Sequence, residues 1–146
     1  MKIIKTKKVK TPKRNGKNAG IDFFVPTDFV TYKLRPGNQI KIPSGVRVKI
    51  PDGYCLIGFN KSGVAAKHNL VIGACVVDEN YTGEIHIHLF NIGDKISVIK
   101  PDQKIIQFVM LKPNYTEIKE VFNEKDIFKK EDHLERGSGA FGSTGE

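Results

Sequence analysis

The chain has 146 residues, a net charge of +8, 39% apolar and 27% charged residues. That length suits one domain that buries its own core without disulfide or metal staples. Lysines interrupt the opening "MKIIKTKKVK", and the longest uncharged apolar stretch, 70–77, is far too short for a bilayer, so the expectation is a soluble, intracellular, cytoplasmic protein with no membrane partner.

Residues 1–21 carry eight basic side chains, Lys2, Lys5, Lys7, Lys8, Lys10, Lys13, Arg14 and Lys17, and no acid. The whole charge excess therefore sits at the N-terminal end. A basic run of this kind serves nucleic acid or steers anions, or it guards an exposed sheet edge against aggregation. The edge strand is the preferred reading, because no aromatic residues interleave the lysines as a single-strand binder requires. At Asp22 the segment "AGID" places a carboxylate inside a predicted strand, where it needs a cation or a donor.

Short apolar segments then recur every eight to twelve residues or so, separated by Gly, Pro and Asn, the spacing of an all-β sandwich or barrel. In "GVRVKIP", Val46, Val48 and Ile50 alternate with Arg47 and Lys49, the signature of a half-buried strand. "EIHIHLF" repeats the pattern with Ile85, Ile87 and Leu89. Strands are predicted at 3–9, 21–25, 32–34, 39–42, 46–50, 54–59, 70–77, 85–89, 95–99, 105–111 and 117–121. The single helix expected is "SGVAAKH", with Ser62 as its N-cap. Two domains of unequal kind result: a β domain over 1–122 and an extended C-terminal arm over 123–146, dominated by charge and then by glycine.

Cys55 and Cys75 lie in strand-like surroundings without C-x-x-C spacing, and read as reduced, packed thiols. "HIH" sets His86 and His88 on one strand face; that pair has metal-ligand chemistry, but a solvated or interface face is the preferred reading. "NKSGVAAKH" offers Lys61, Ser62 and exposed N–H groups at Gly63 to an anion. "ACVVDENYTGE" carries Asp78 and Tyr81 in a polar turn between two strands.

The tail "RGSGAFGSTGE" spaces Gly137, Gly139 and Gly142 as G-x-G-x-x-G, but a dinucleotide turn requires a helix after the glycines and none is predicted there. Arg136 with the Ser143 and Thr144 hydroxyls and glycine N–H groups is phosphate-clamp chemistry instead. Phe141 is a ring suited to stacking on a base.

In chain order, "AGID", "KSG", "GACVVDENYTGE", "KIIQF" and "RGSGAFGSTG" resemble the five motifs of the homotrimeric dUTPases, deoxyuridine triphosphate nucleotidohydrolases. The resemblance implies a distorted β jelly roll whose three copies share three sites, each drawing the "DENY" hairpin from one subunit, "AGID", "KSG" and "IIQ" from a second and the arm from the third. It implies hydrolysis of dUTP to dUMP and pyrophosphate with Mg²⁺, keeping uracil out of DNA and supplying dUMP for thymidylate synthesis. Asp78 would activate the attacking water and Asp22 would hold the ion through coordinated water. Lys61, Ser62, Gly63 and Gln107 would meet phosphates, as would Arg136, Ser143 and Thr144 in the tail, with Phe141 and Gly142 closing over the base. Uracil would pair with main chain near Cys75, Val76 and His86, and Tyr81 would pack on the deoxyribose. Lys61 stands where the family has arginine, Cys75 and His86 where many members have glycine, and Thr82, Gln103 and Ala140 also depart from the pattern. A dCTP deaminase of the same fold, or a noncatalytic nucleic-acid-binding protein on this scaffold, are the competing expectations.

Overall fold

The structure, a computed structural model, describes residues 1–129. Its elements in chain order are β1 (Lys2–Lys5), β2 (Lys13–Arg14), β3 (Gly20–Phe24), β4 (Tyr32–Leu34), β5 (Gln39–Lys49), β6 (Cys55–Asn60), the helix α1 (Ser62–His68), β7 (Leu70–Ile72), β8 (Val76–Val77), β9 (Glu84–Asn91), β10 (Ser97–Ile99) and β11 (Lys104–Leu111). One sheet runs β1-β5-β9-β7, a second runs β2-β3-β11-β6-β8, and β4 pairs with β10. All of these pairings are antiparallel. This is the all-β organisation that the recurring short apolar segments predict, in the jelly-roll form that the family resemblance implies.

Alternation decides which face of each strand is buried. On β9, Ile85, Ile87 and Leu89 are each at most 2% exposed, while His86, His88 and Phe90 point to the other face. Phe23 of β3 meets Phe108 of β11 edge to face, ring centroids 4.9 Å apart. Lys2, Lys5, Lys13 and Arg14 fall on sheet edges: β1 is the outer strand of the first sheet and β2 that of the second. Lys5 is further tied to the Val9 carbonyl, donating at 3.1 Å. Edge strands with lysine are protected from pairing with other chains.

The structure corrects several expectations. The segments 39–42 and 46–50 form one strand, β5, whose pairing with β9 slips between Pro43 and Arg47. Gly45 supplies the positive φ of 72° that this bulge uses, and its N–H donates to Glu84 Oε1 at 2.6 Å. The stretch 70–77 is two strands rather than one. β7 pairs with β9, β8 pairs with β6, and Gly73 to Cys75 carries the chain from one sheet to the other. Strand 3–9 ends at Lys5, after which the chain bends and buries Val9.

Ser62 is the first residue of α1; the N-cap is Lys61, in extended geometry and without a side-chain cap. The Lys61 carbonyl accepts the Val64 and Ala65 N–H groups, each at 2.9 Å, while its side chain leaves the helix for Asp22. At the other end Asn69 closes the helix in the left-handed region and donates its N–H to Ala65 O.

A second compact unit begins at Asn114. Within it, 117–121 is not a strand: Ile118 is 97% exposed and no described residue pairs with the segment. Glu124–Asp126 forms a single 3-10 turn, which the charge pattern did not announce.

Candidate functional site

Asp22 sits in the middle of β3, opposite Gln107 of β11. It is 6% exposed, and its carboxylate is shared by two ammonium groups. Lys61 Nζ pairs with Oδ1, and Lys104 Nζ lies 3.2 Å from Oδ2. Burial pushes the Asp22 carboxyl up, but the hydrogen bonds and positive charge of Lys61 and Lys104 outweigh it and hold the group below the ordinary carboxylate range. Lys104 is the residue that motif reading passed over. Its signal in the sequence was a cation opening strand "KIIQF", but only the β3–β11 pairing points it at Asp22.

Lys61, Ser62, Gly63, Lys67, Lys104 and Gln107 line one hollow of about 340 Å³. Gln107 is fixed over it: Nε2 donates to the Asn60 carbonyl at 2.9 Å. Its amide lies across Gly20, where a Cβ would fall 2.2 Å from Gln107 Oε1. The glycine of "AGID" is therefore the space that Gln107 occupies. Three lysines, a hydroxyl and an amide around one concavity make an anion site.

A second hollow, about 180 Å³, is lined by Ala74, Cys75, Val76, Tyr81, Ile85 and His86, among others. The Tyr81 hydroxyl donates to the Glu84 carbonyl at 2.9 Å, and His86 Nδ1 lies 3.0 Å from the same oxygen. Cys75 packs beside Gly58 of β6, with its carbonyl accepting the Gly58 N–H at 2.7 Å. Asp78 follows β8 directly, is exposed, and accepts the Tyr81 N–H on its carbonyl at 3.1 Å.

Of the residues expected at phosphate, Lys61, Ser62, Gly63 and Gln107 thus line the first hollow, and of those expected at uridine, Cys75, Val76, Tyr81 and His86 line the second. Within one chain the two hollows have no lining residue in common. Asp78 lines neither of them. Arg136, Ala140, Phe141, Gly142, Ser143 and Thr144 lie outside the described residues. Both cysteines are free thiols and Cys55 is buried. Among the described residues no three His, Cys, Asp or Glu side chains converge to hold a metal, His86 and His88 included. No helix among them is long and apolar enough to cross a membrane.

The described strands thus carry a lysine-lined anion hollow beside β3 and a smaller hollow under a β hairpin. Comparison with known proteins narrows this further. The dUTPase family profile matches residues 6–145. The chain is 38% identical over 116 residues to the deoxyuridine 5'-triphosphate nucleotidohydrolase of Chlamydia pneumoniae, covering 77% of this chain and 74% of that protein. It is 35% identical over 127 residues to the mitochondrial human enzyme of that name, covering 87% of this chain but 46% of the human protein. Among solved structures, the dUTPase of Staphylococcus bacteriophage 80alpha with dUPNHPP matches with a TM-score of 0.83 at 26% identity, over 99% of this chain and 98% of that one. The dUTPase of phage phi11 of S. aureus, in a mutant form described with a structural Mg(II) ion, matches with a TM-score of 0.72 at 26% identity, over 85% and 97%. The chain belongs to the dUTPase family.

Proposed function

We propose that this chain hydrolyses dUTP to dUMP and pyrophosphate, at sites completed between three copies of itself. The observation that carries the reading is the gathering of Lys61, Ser62, Gly63 and Gln107 around one anion hollow beside Asp22, in a chain of the dUTPase family. The separateness of the two hollows within one chain supports composite sites, with the hairpin of one copy facing the lysine hollow of another. The C-terminal arm over 123–146 then closes a site on a neighbouring copy.

Water attacks the α-phosphorus, the bond to the bridging oxygen of the β-phosphate breaks, and pyrophosphate leaves. Asp78 accepts the proton that the water gives up. An exposed carboxylate suffices, because the water must above all be held in line. Lys61, Ser62, Gly63 and Gln107 hold the phosphates, and Arg136, Ser143 and Thr144 hold their far end. Phosphoryl displacement asks the protein chiefly for position and for cancelled charge.

Uracil fits the smaller hollow, where main-chain groups at Cys75, Val76 and His86 read its edge and Tyr81 packs on the deoxyribose. Cytosine presents the wrong donor and acceptor and leaves buried groups unpaired, a mismatch worth roughly 10⁴ in discrimination.

Mg²⁺ supplies charge neutralisation of the triphosphate when it is bound. The residues present fit an ion that arrives with phosphate oxygens and a water shell: Asp22 is one carboxylate, and each of its oxygens already meets a lysine. Asp22 would hold such an ion only through coordinated water, and not alone.

The test is pyrophosphate release from dUTP, dCTP, dTTP and UTP with Mg²⁺, for the natural chain and for Asp78→Asn. Turnover of dUTP alone, lost on substitution, is expected. Ammonia released from dCTP would move the chain to the deaminases of the same fold, and inactivity on all four would overturn the reading.

A further inference from the structure

We propose that His88 is a positioning residue for base recognition: it holds the Gly73–Ala74 main chain, and through it one wall of the hollow assigned above to uracil, the reading on which this inference rests. His88 lies on the outward face of β9, half-buried. Its carbonyl accepts the Gly73 N–H at 2.9 Å, and its ring nitrogen Nδ1 lies 3.0 Å from the Ala74 nitrogen. A backbone amide only donates, so Nδ1 is the acceptor and the ring is neutral with its proton on Nε2. That proton is donated to Gln39 Oε1, 2.6 Å away on β5. Both ring nitrogens are therefore committed, and the ring packs against Phe90 with centroids 4.8 Å apart.

Gly73 is shaped to this ring. A Cβ there would fall 2.2 Å from His88 Nδ1 and 2.7 Å from the Phe90 ring, so the segment approaches β9 only because it carries no side chain. Two residues on, the Cys75 carbonyl is held by the Gly58 N–H at 2.7 Å. The crossing between sheets is thus gripped by β9 on one side and by β6 on the other. Ala74, Cys75 and Val76 form one wall of the hollow, and Tyr81, Ile85 and His86 face it. A wall that reads a base through its main chain is only as selective as its backbone is fixed, and His88 is the side chain that fixes its entry.

His88→Phe keeps an aromatic ring and removes the acceptor; His88→Asn keeps an oxygen near the position of Nδ1. For His88→Phe the expected result is a KM for dUTP and a Kd for dUMP about tenfold higher, with kcat within about twofold and inhibition by inorganic pyrophosphate unchanged. Amide hydrogen exchange at Ala74 should quicken in this variant, and His88→Asn should restore both readouts to within about threefold. An unchanged KM and unchanged exchange in His88→Phe would overturn the proposal. So would equal losses in both variants, or a joint fall in kcat and melting temperature, which would make the ring a packing element only. If the natural chain does not bind dUMP, the uracil reading fails; exchange at Ala74 then still reads the His88 bond, and the role in base recognition is overturned with it.

Discussion

Asp22 and Lys61, 39 residues apart in the chain, form an ion pair that ties the middle of β3 to the head of α1. Lys104 takes the second carboxylate oxygen, so two cations share one buried anion and the hollow keeps a positive excess. Lys61→Met should leave Asp22 with a single partner and cost about 1.5–3 kcal/mol in unfolding free energy, the range for a hydrogen bond to a charged group. It should also lower kcat/KM for dUTP by roughly 10- to 100-fold. Lys61→Arg, with charge and reach retained, should hold most of both. Urea unfolding and steady-state kinetics on the same three proteins check this.

The same pair sets a pH dependence. The folded Asp22 carboxyl lies below its ordinary value, so the unfolded chain binds this proton more readily than the folded one. The contribution to stability is then complete above the unfolded value, near pH 4, and is lost as pH falls through the lower folded value. Asp22→Asn should flatten that portion of the acid limb. Melting temperatures measured from pH 6 down to about pH 3 would show it, and an unaltered acid limb would refute it.

Asp78 is exposed in the turn after β8, so Asp78→Asn should leave the melting temperature within about a degree or two. Its kcat should fall by roughly 10² to 10⁴, the range for a lost general base, with KM within about twofold. A variant that retained full turnover would remove Asp78 from the reaction.

Gly20→Ala tests the placement of Gln107. The added methyl would meet Gln107 Oε1 at 2.2 Å, and the amide must swing off the Asn60 carbonyl to make room. KM for dUTP should rise several-fold, roughly the loss of one neutral hydrogen bond, while affinity for deoxyuridine stays unchanged. Calorimetry with the two ligands separates these outcomes.

The C-terminal arm can be tested without reference to its conformation. Deleting 137–146 should abolish turnover and leave the sedimentation coefficient of a trimer. Phe141→Trp puts the first tryptophan into a chain that has none, and its fluorescence should respond to dUMP if the ring stacks on uracil. A silent signal at saturating nucleotide would argue against stacking.

Much of this was legible from local pattern. Period-two alternation in "EIHIHLF" and "GVRVKIP" marked β9 and the second half of β5, because a half-buried strand must alternate. α1 was legible over Ser62–His68, although Lys61 rather than Ser62 caps it, since the lysine is drawn to a partner on another strand. The break at Gly73 to Cys75 was hidden inside an unbroken apolar run: the two halves belong to different sheets, and hydrophobicity does not record which neighbour a strand pairs with. Residues 117–121 were expected as a strand, but no described strand pairs with them.

By itself, the sequence determined the fold class, the ordered motifs and the chemical types of the site, since each depends on residue identity and short-range spacing. Tertiary structure alone decided what those residues face: that Lys104 joins Lys61 on Asp22, that Gly20 makes room for Gln107, and that His88 holds Ala74. Each of these contacts joins residues from separate strands, brought together by register and sheet order, which no local pattern encodes.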